Sequence, residues 1–152
     1  MTTTAKMPTA AKLVAGFIFA VTGYFVAELV RSALPEGQPL KWLLPISVLI
    51  PMIVGWRVMG RLVGTNYGAS MNSGFYGIVV STVSVTFIFS VSLMIKKSRR
   101  LQYDGPMEAL VDVFALMLDY GLLLLNPFVL ATLVGGGFFG GIAAEWAHRK
   151  FE

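Results

Sequence analysis

Three carboxylates on one stretch of this chain have the spacing of a cation site. Glu108, Asp112 and Asp119 interrupt the otherwise apolar segment Met107–Leu125. Wound as a helix at 100° per residue, they fall within about 40° of one another. Carboxylates facing into a membrane bundle bind protons or cations. A bland reading needs no ligand: the helix lies at the membrane interface, acids toward water and Leu110, Phe114 and Met117 toward lipid or protein. Just upstream stand Lys96, Lys97, Arg99 and Arg100. They are placed to pair with those acids, or to fix topology and hold anionic lipid headgroups. Glu28 is a further candidate acid, with Arg31 three residues on, near enough to pair along a helix. Its place near the end of an apolar run favours an interfacial charge pair over an inward-facing site.

Other chemistry is scarce. The chain has no cysteine, which excludes disulfides, thiolate metal sites and iron–sulfur clusters. His148, the only histidine, stands near the C-terminus beside Arg149 and Lys150, in no metal-binding motif. Gly64–Gly74 (GTNYGASMNSG) is glycine-rich but lacks the Lys-Ser/Thr ending of a phosphate-binding loop, and no strand precedes it. It reads as a connection between helices. The eight methionines follow no repeating spacing. Neither catalytic residues, a resident metal nor a cofactor is expected.

The elements that must position the charged residues are long apolar runs. The chain is 56% hydrophobic and 13% charged, with a mean hydropathy of +0.73, where a soluble domain carries about 25% charge. A helix crossing a bilayer needs about 20 apolar residues. Four runs qualify, at about 13–34, 40–59, 75–95 and 128–146. The reading is an all-α polytopic membrane protein with four transmembrane helices. One amphipathic helix over 107–125 is either interfacial or a fifth span. Residues 1–6 read as a disordered leader and 7–152 as one membrane domain. The first run is too long for a signal peptide and is expected to remain as a helix.

Within these runs, Pro8 and Thr9 suit a helix start. Pro45 and Pro51 lie inside the second, where each is able to kink it. Trp42 and Trp56 suit its two interfaces. Arg57 and Arg61 share a face at its end. Thr82, Thr86 and Ser90 make a stripe suited to hydrogen bonding between helices. Asp104, Gly105 and Pro106 read as a turn with Asp104 capping the next helix and Glu108 in its first turn. Asn126–Pro127 breaks that helix. In the last run Gly136/Gly140 and Gly137/Gly141 are G-x-x-x-G pairs that permit close packing. With four spans the twelve Lys and Arg divide six and six between the two sides, so charge sets no orientation. A fifth span would divide them four and eight and favour a cytoplasmic C-terminus.

The net charge of +4 lies at the ends of apolar runs. Anionic headgroups, not nucleic acid, are the expected partners. Five pieces of the chain resemble the TrgA-like family of small bacterial membrane proteins named for tellurium resistance. They are MPTAAKLVAG (Met7–Gly16), PEG (Pro35–Gly37), GWRVMG (Gly55–Gly60), YDGPMEA (Tyr103–Ala109) and EW (Glu145–Trp146). GWRVMG and YDGPMEA are the most specific, and the five follow the family's order over nearly the whole chain. The resemblance implies residence in the bacterial inner membrane and an association with tolerance to tellurite. It carries over no catalytic or binding residues. With no cysteine, the chain has no thiol of its own to reduce tellurite. Two other functions compete: an accessory subunit of a larger respiratory or photosynthetic membrane complex, and an oligomeric small-ion transporter. A homo-oligomer or a larger membrane-protein complex is the expected assembly.

Overall fold

The structure, a computed structural model, describes residues 9–37, 40–62, 64 and 66–151. The Met1–Lys6 leader and Pro8 lie outside them. Five helices follow in order: α1 (Thr9–Ala33), α2 (Leu43–Leu62), α3 (Tyr67–Arg99), α4 (Pro106–Leu124) and α5 (Pro127–Phe151). The described residues contain no strand. Four of these helices, α1, α2, α3 and α5, are long and apolar enough to cross a membrane. The fold is all-α, and the protein is a membrane protein.

Lipid tails are as apolar as leucine, so membrane helices associate by fitting together closely, and small residues gather where they meet. In α1, Ala11, Ala15, Phe19, Ala27 and Val30 are buried, while Leu13, Phe17 and Phe25 on the other side are exposed. The fully buried Phe19 is the hub of the bundle. Three glycines from three helices form its socket: Gly55 of α2, Gly77 of α3 and Gly140 of α5. A Cβ at position 77 would lie 3.0 Å from the ring, tighter than ordinary contact.

The two G-x-x-x-G pairs of α5 serve different neighbours. Gly136 and Gly140 face α1, against Thr22 and Phe19. Gly137 and Gly141, one residue further round, face α3, where Gly74 and Ser70 approach backbone to backbone. These four glycines wedge α5 between α1 and α3.

α2 stays helical through Pro51. Proline withdraws the hydrogen bond from the carbonyl four residues back, here that of Ser47. This carbonyl rests against Gly23 of α1, where a side chain would collide with it. One turn later Gly55–Met59 widens into a π-helical turn. The turn brings Gly55 against Ala15 and Phe19, and buries Met59 completely.

Two expectations are corrected. The segment read as a loop over Gly64–Gly74 is helical from Tyr67 onward, capped by Asn66, whose side chain accepts the Tyr67 N–H at 3.1 Å. Its small residues are packing residues: Ser70 and Gly74 are buried against α5. The hydroxyl stripe of α3 does not bond across to its neighbours. Thr82 donates to the Ile78 carbonyl and Thr86 to that of Thr82, both at 2.8 Å. A short hydroxyl finds the carbonyl four residues back before it can reach another helix. Ser90 is wholly buried, and its Oγ has no hydrogen-bond partner.

Candidate functional site

The charged residues singled out by their spacing gather where α3 turns into α4. The turn is locally encoded. Gln102 N–H bonds back to the Lys97 carbonyl at 3.4 Å, and Leu101 N–H to that of Ser98 at 3.0 Å. This double bond closes a helix when the residue after the cap turns left-handed, a place usually held by glycine. Here Leu101 holds it, at φ 54°, with 91% of its surface exposed. α4 then starts at Pro106, whose missing N–H costs nothing there. Gly105 occupies the capping position and makes no side-chain bond. Asp104 is therefore not the side-chain cap. Glu108 reaches back to accept the Asp104 N–H at 2.9 Å, as a carboxylate does in a capping box.

α4 folds back along α3. Lys97 bonds Asp112, and the Phe89 ring meets Tyr120 edge-on at 5.0 Å. These two contacts are eight residues apart on each helix, so α3 and α4 run antiparallel. Val113 and Tyr120 of α4 are buried, and Leu116, Leu123 and Leu124 pack on the same core. Met107, Leu110, Val111, Phe114, Leu118, Leu122 and Leu125 are exposed on the opposite side. The acids lie along one edge between the two faces.

They do not converge on one centre. Glu108 caps the turn. Asp112 accepts two bonds from Lys97 Nζ, at 2.9 and 3.2 Å, and another from the Tyr103 hydroxyl. Asp119 lies two turns further on and is exposed. Among the described residues, no group of three His, Asp or Glu side chains is placed to hold a metal ion. The Tyr103 hydroxyl, helped by Lys97, holds Asp112 below the usual carboxylate range against the opposing effect of burial. Burial, then the bond to Asp112, pushes Tyr103 up to about 12.

Beside this hairpin lies a groove of about 750 Å³ between the ends of α1, α3 and α4. Lys96, Lys97, Arg99 and Arg100 line it together with Gln102 and Asp119. Leu34, Leu93, Leu116 and Leu123 form its apolar walls. The four predicted headgroup-binding cations thus share one concave surface.

The other predicted residues stand apart from it. Glu28 pairs with Arg31 at 3.8 Å, both side chains substantially exposed. Arg57 is exposed within the π-helical turn of α2. Gly136 and Gly140 belong to the α1 seam.

The structure adds a residue that spacing did not single out. Glu145 of α5 is 1% exposed. One of its oxygens accepts the Ser70 hydroxyl at 2.7 Å and the Gly64 N–H at 3.0 Å, and the other accepts Arg149 Nε at 2.9 Å. Gly64 has φ +109°, a left-handed conformation suited to glycine, and this turns its N–H toward the carboxylate. The Arg149 guanidinium also lies over the Tyr67 ring, 4.5 Å from its centre. The acid thus ties the α2–α3 connection and the start of α3 to the last helix. A sequence signal existed: Gly137, Gly141, Glu145 and Arg149 recur every fourth residue and continue the glycine face. Comparisons with known protein families, with characterised proteins and with solved structures find no match to this chain.

Proposed function

We propose that this chain is a small, non-enzymatic protein of the bacterial inner membrane, of the TrgA type, that contributes to tellurite tolerance as a packed element of the membrane. The observation that carries this reading is the tight packing of the bundle interior. The cleft lined by all five helices holds only about 60 Å³, with Phe19 and Phe89 among its walls. Glycine seams bring the backbones together elsewhere. A bundle filled this way leaves a single chain little room for a solute path. The acids that would serve a transporter are divided among a capping role, an ion pair and the groove wall. Any transport then depends on a passage formed between copies.

The test is growth on tellurite of a strain lacking the protein, complemented with the wild-type chain or with a chain carrying Glu28→Gln, Asp112→Asn and Asp119→Asn. Restored tolerance by both supports the reading. Failure of the wild-type chain to change tolerance overturns it. Restoration by the wild type alone, with matching loss of ion flux in vesicles, favours the oligomeric transporter.

The accessory-subunit reading has its own observation. α4 exposes an apolar face along its whole length, with Met107 at 71% and Leu118 at 70%. Purification of the tagged chain from native membranes in mild detergent, with mass spectrometry of stoichiometric companions, tests it. A large partner at equal stoichiometry supports a subunit, and elution alone or as a homo-oligomer removes that reading.

A further inference from the structure

We propose that the groove between α3, α4 and the end of α1 is a binding site for one anionic phospholipid, with its phosphate at Arg99 and Arg100 and an acyl chain along the leucines. This deepens the membrane reading above and rests on it, but not on the tellurite phenotype.

The argument begins with the order of residues along the groove. Because α3 and α4 run antiparallel in fixed register, Leu116 stands level with Leu93 and Leu123 lies further into the apolar part of the bundle. Arg99 and Arg100 stand at the other end, beside the turn. The groove is therefore cationic at its mouth and lined mainly by leucines further in, with the Asp119 carboxylate on its edge between Leu116 and Leu123. From Arg100 to the level of Leu123 is about 20 Å at 1.5 Å per residue. A free inorganic anion would use only the mouth. A phospholipid presents a charged head and a hydrocarbon chain in this same sequence, and a volume of about 750 Å³ accommodates the head with the upper part of a chain.

Charge selects among phospholipids. Lys97 is engaged by Asp112, so its ammonium is already neutralised. Arg99 and Arg100 stand on the groove wall with one unmatched carboxylate, Asp119. The excess is positive and favours a net-anionic head over a zwitterionic one. Arginine adds a planar fork that grips phosphate oxygens in pairs. Asp119 opposes an anion, so its charge is a brake on affinity. General attraction of basic residues to a charged bilayer predicts none of this order. It would act equally at Arg57 and Arg61, the exposed pair on α2.

The experiment is native mass spectrometry of the full chain purified in mild detergent, with the retained lipid identified. The wild type is expected to carry one phosphatidylglycerol or other anionic phospholipid per chain. Arg99→Gln with Arg100→Gln is expected to lower that occupancy at least tenfold. Arg57→Gln with Arg61→Gln should leave it unchanged, and Asp119→Asn should keep or raise it. A parallel measurement needs no variant. Phosphatidylglycerol added to the delipidated wild type should raise its thermal midpoint, as any ligand of the folded state does. Phosphatidylethanolamine or 10 mM inorganic phosphate (about a thousandfold above a tight site) should not. Preferential retention of phosphatidylethanolamine, equal loss from the Arg57/Arg61 variant, or stabilisation by inorganic phosphate alone overturns the proposal. These readings involve no tellurite, so failure of the site and failure of the proposed function are separable.

Discussion

Ser70 donates its hydroxyl to Glu145 at 2.7 Å across seventy-five residues of chain, and both side chains are buried. A buried carboxylate is costly unless its lone pairs are filled. Here an amide, a hydroxyl and a guanidinium fill them. Glu145→Gln keeps the shape and removes the charge. It should destabilise the bundle by about 1.5–3 kcal/mol, the worth of hydrogen bonds to a charged group. Ser70→Ala should cost about 1 kcal/mol. Thermal unfolding in detergent, and protease nicking near Gly64, measure both effects. A Glu145→Gln midpoint equal to the wild type would remove the anchoring role.

The glycines of the bundle are not equivalent, although they look alike in the sequence. A Cβ at Gly74 or Gly141 would collide with backbone atoms of the facing helix, while Gly121 and Gly135 face open space. Gly74→Ala and Gly141→Ala should each cost about 1–3 kcal/mol through overpacking. Gly121→Ala and Gly135→Ala should be neutral or stabilising by up to about 1 kcal/mol through helix propensity. Phe19→Ala, which empties the glycine socket, should cost about 3–5 kcal/mol. Thermal midpoints of the five variants rank the sites directly.

The Lys97–Asp112–Tyr103 cluster gives the hairpin a pH dependence at both extremes. Asp112 is held below its ordinary value of about 3.9, so its contribution is complete above that pH and is lost as pH falls through the lowered value. Tyr103 is raised to about 12. Its contribution is complete below the ordinary tyrosine value of about 10 and is lost as pH rises through the raised one. Amide exchange over α4 should therefore quicken in strong acid for the wild type. Asp112→Asn should exchange faster at neutral pH and lack that acid step. In alkaline spectrophotometric titration, Tyr103→Phe should remove the tyrosinate transition near pH 12.

Leu101 holds a left-handed turn at a cost that glycine would avoid. Leu101→Gly should stabilise the helix end by about 1 kcal/mol, read as a higher thermal midpoint. An unchanged or lower midpoint would show that the exposed leucine makes a compensating contact with lipid.

Ser90 presents the reverse case, a buried hydroxyl with nothing to bond. Ser90→Ala should be neutral or stabilising, because it removes a desolvated polar atom without emptying a methyl-sized space. Ser81→Ala, which breaks a 2.8 Å bond to the Gly77 carbonyl, is the matched control. Their midpoints should move in different directions.

Run length and local chemistry alone determined the class of this protein, its four crossing helices and the turn ahead of α4. Each depends on residues a few positions apart: a stretch long enough to cross hydrocarbon, a proline in a first turn, a charge cluster at a helix end. The same local signals misled where tertiary contact took over. The polar, glycine-bearing start of α3 read as a loop because its compensation is the backbone of α5. The Thr82 and Thr86 hydroxyls of α3 looked like links between helices, yet each had a nearer acceptor on its own helix. Spacing did not single out Glu145, and only folding brought Gly64 and Ser70 to it. The division of the α5 glycines between α1 and α3, and the gathering of three separate helix ends around one groove, were likewise decided by packing. Such arrangements depend on which surfaces meet, and residues remote in sequence meet only when the helices have chosen their neighbours.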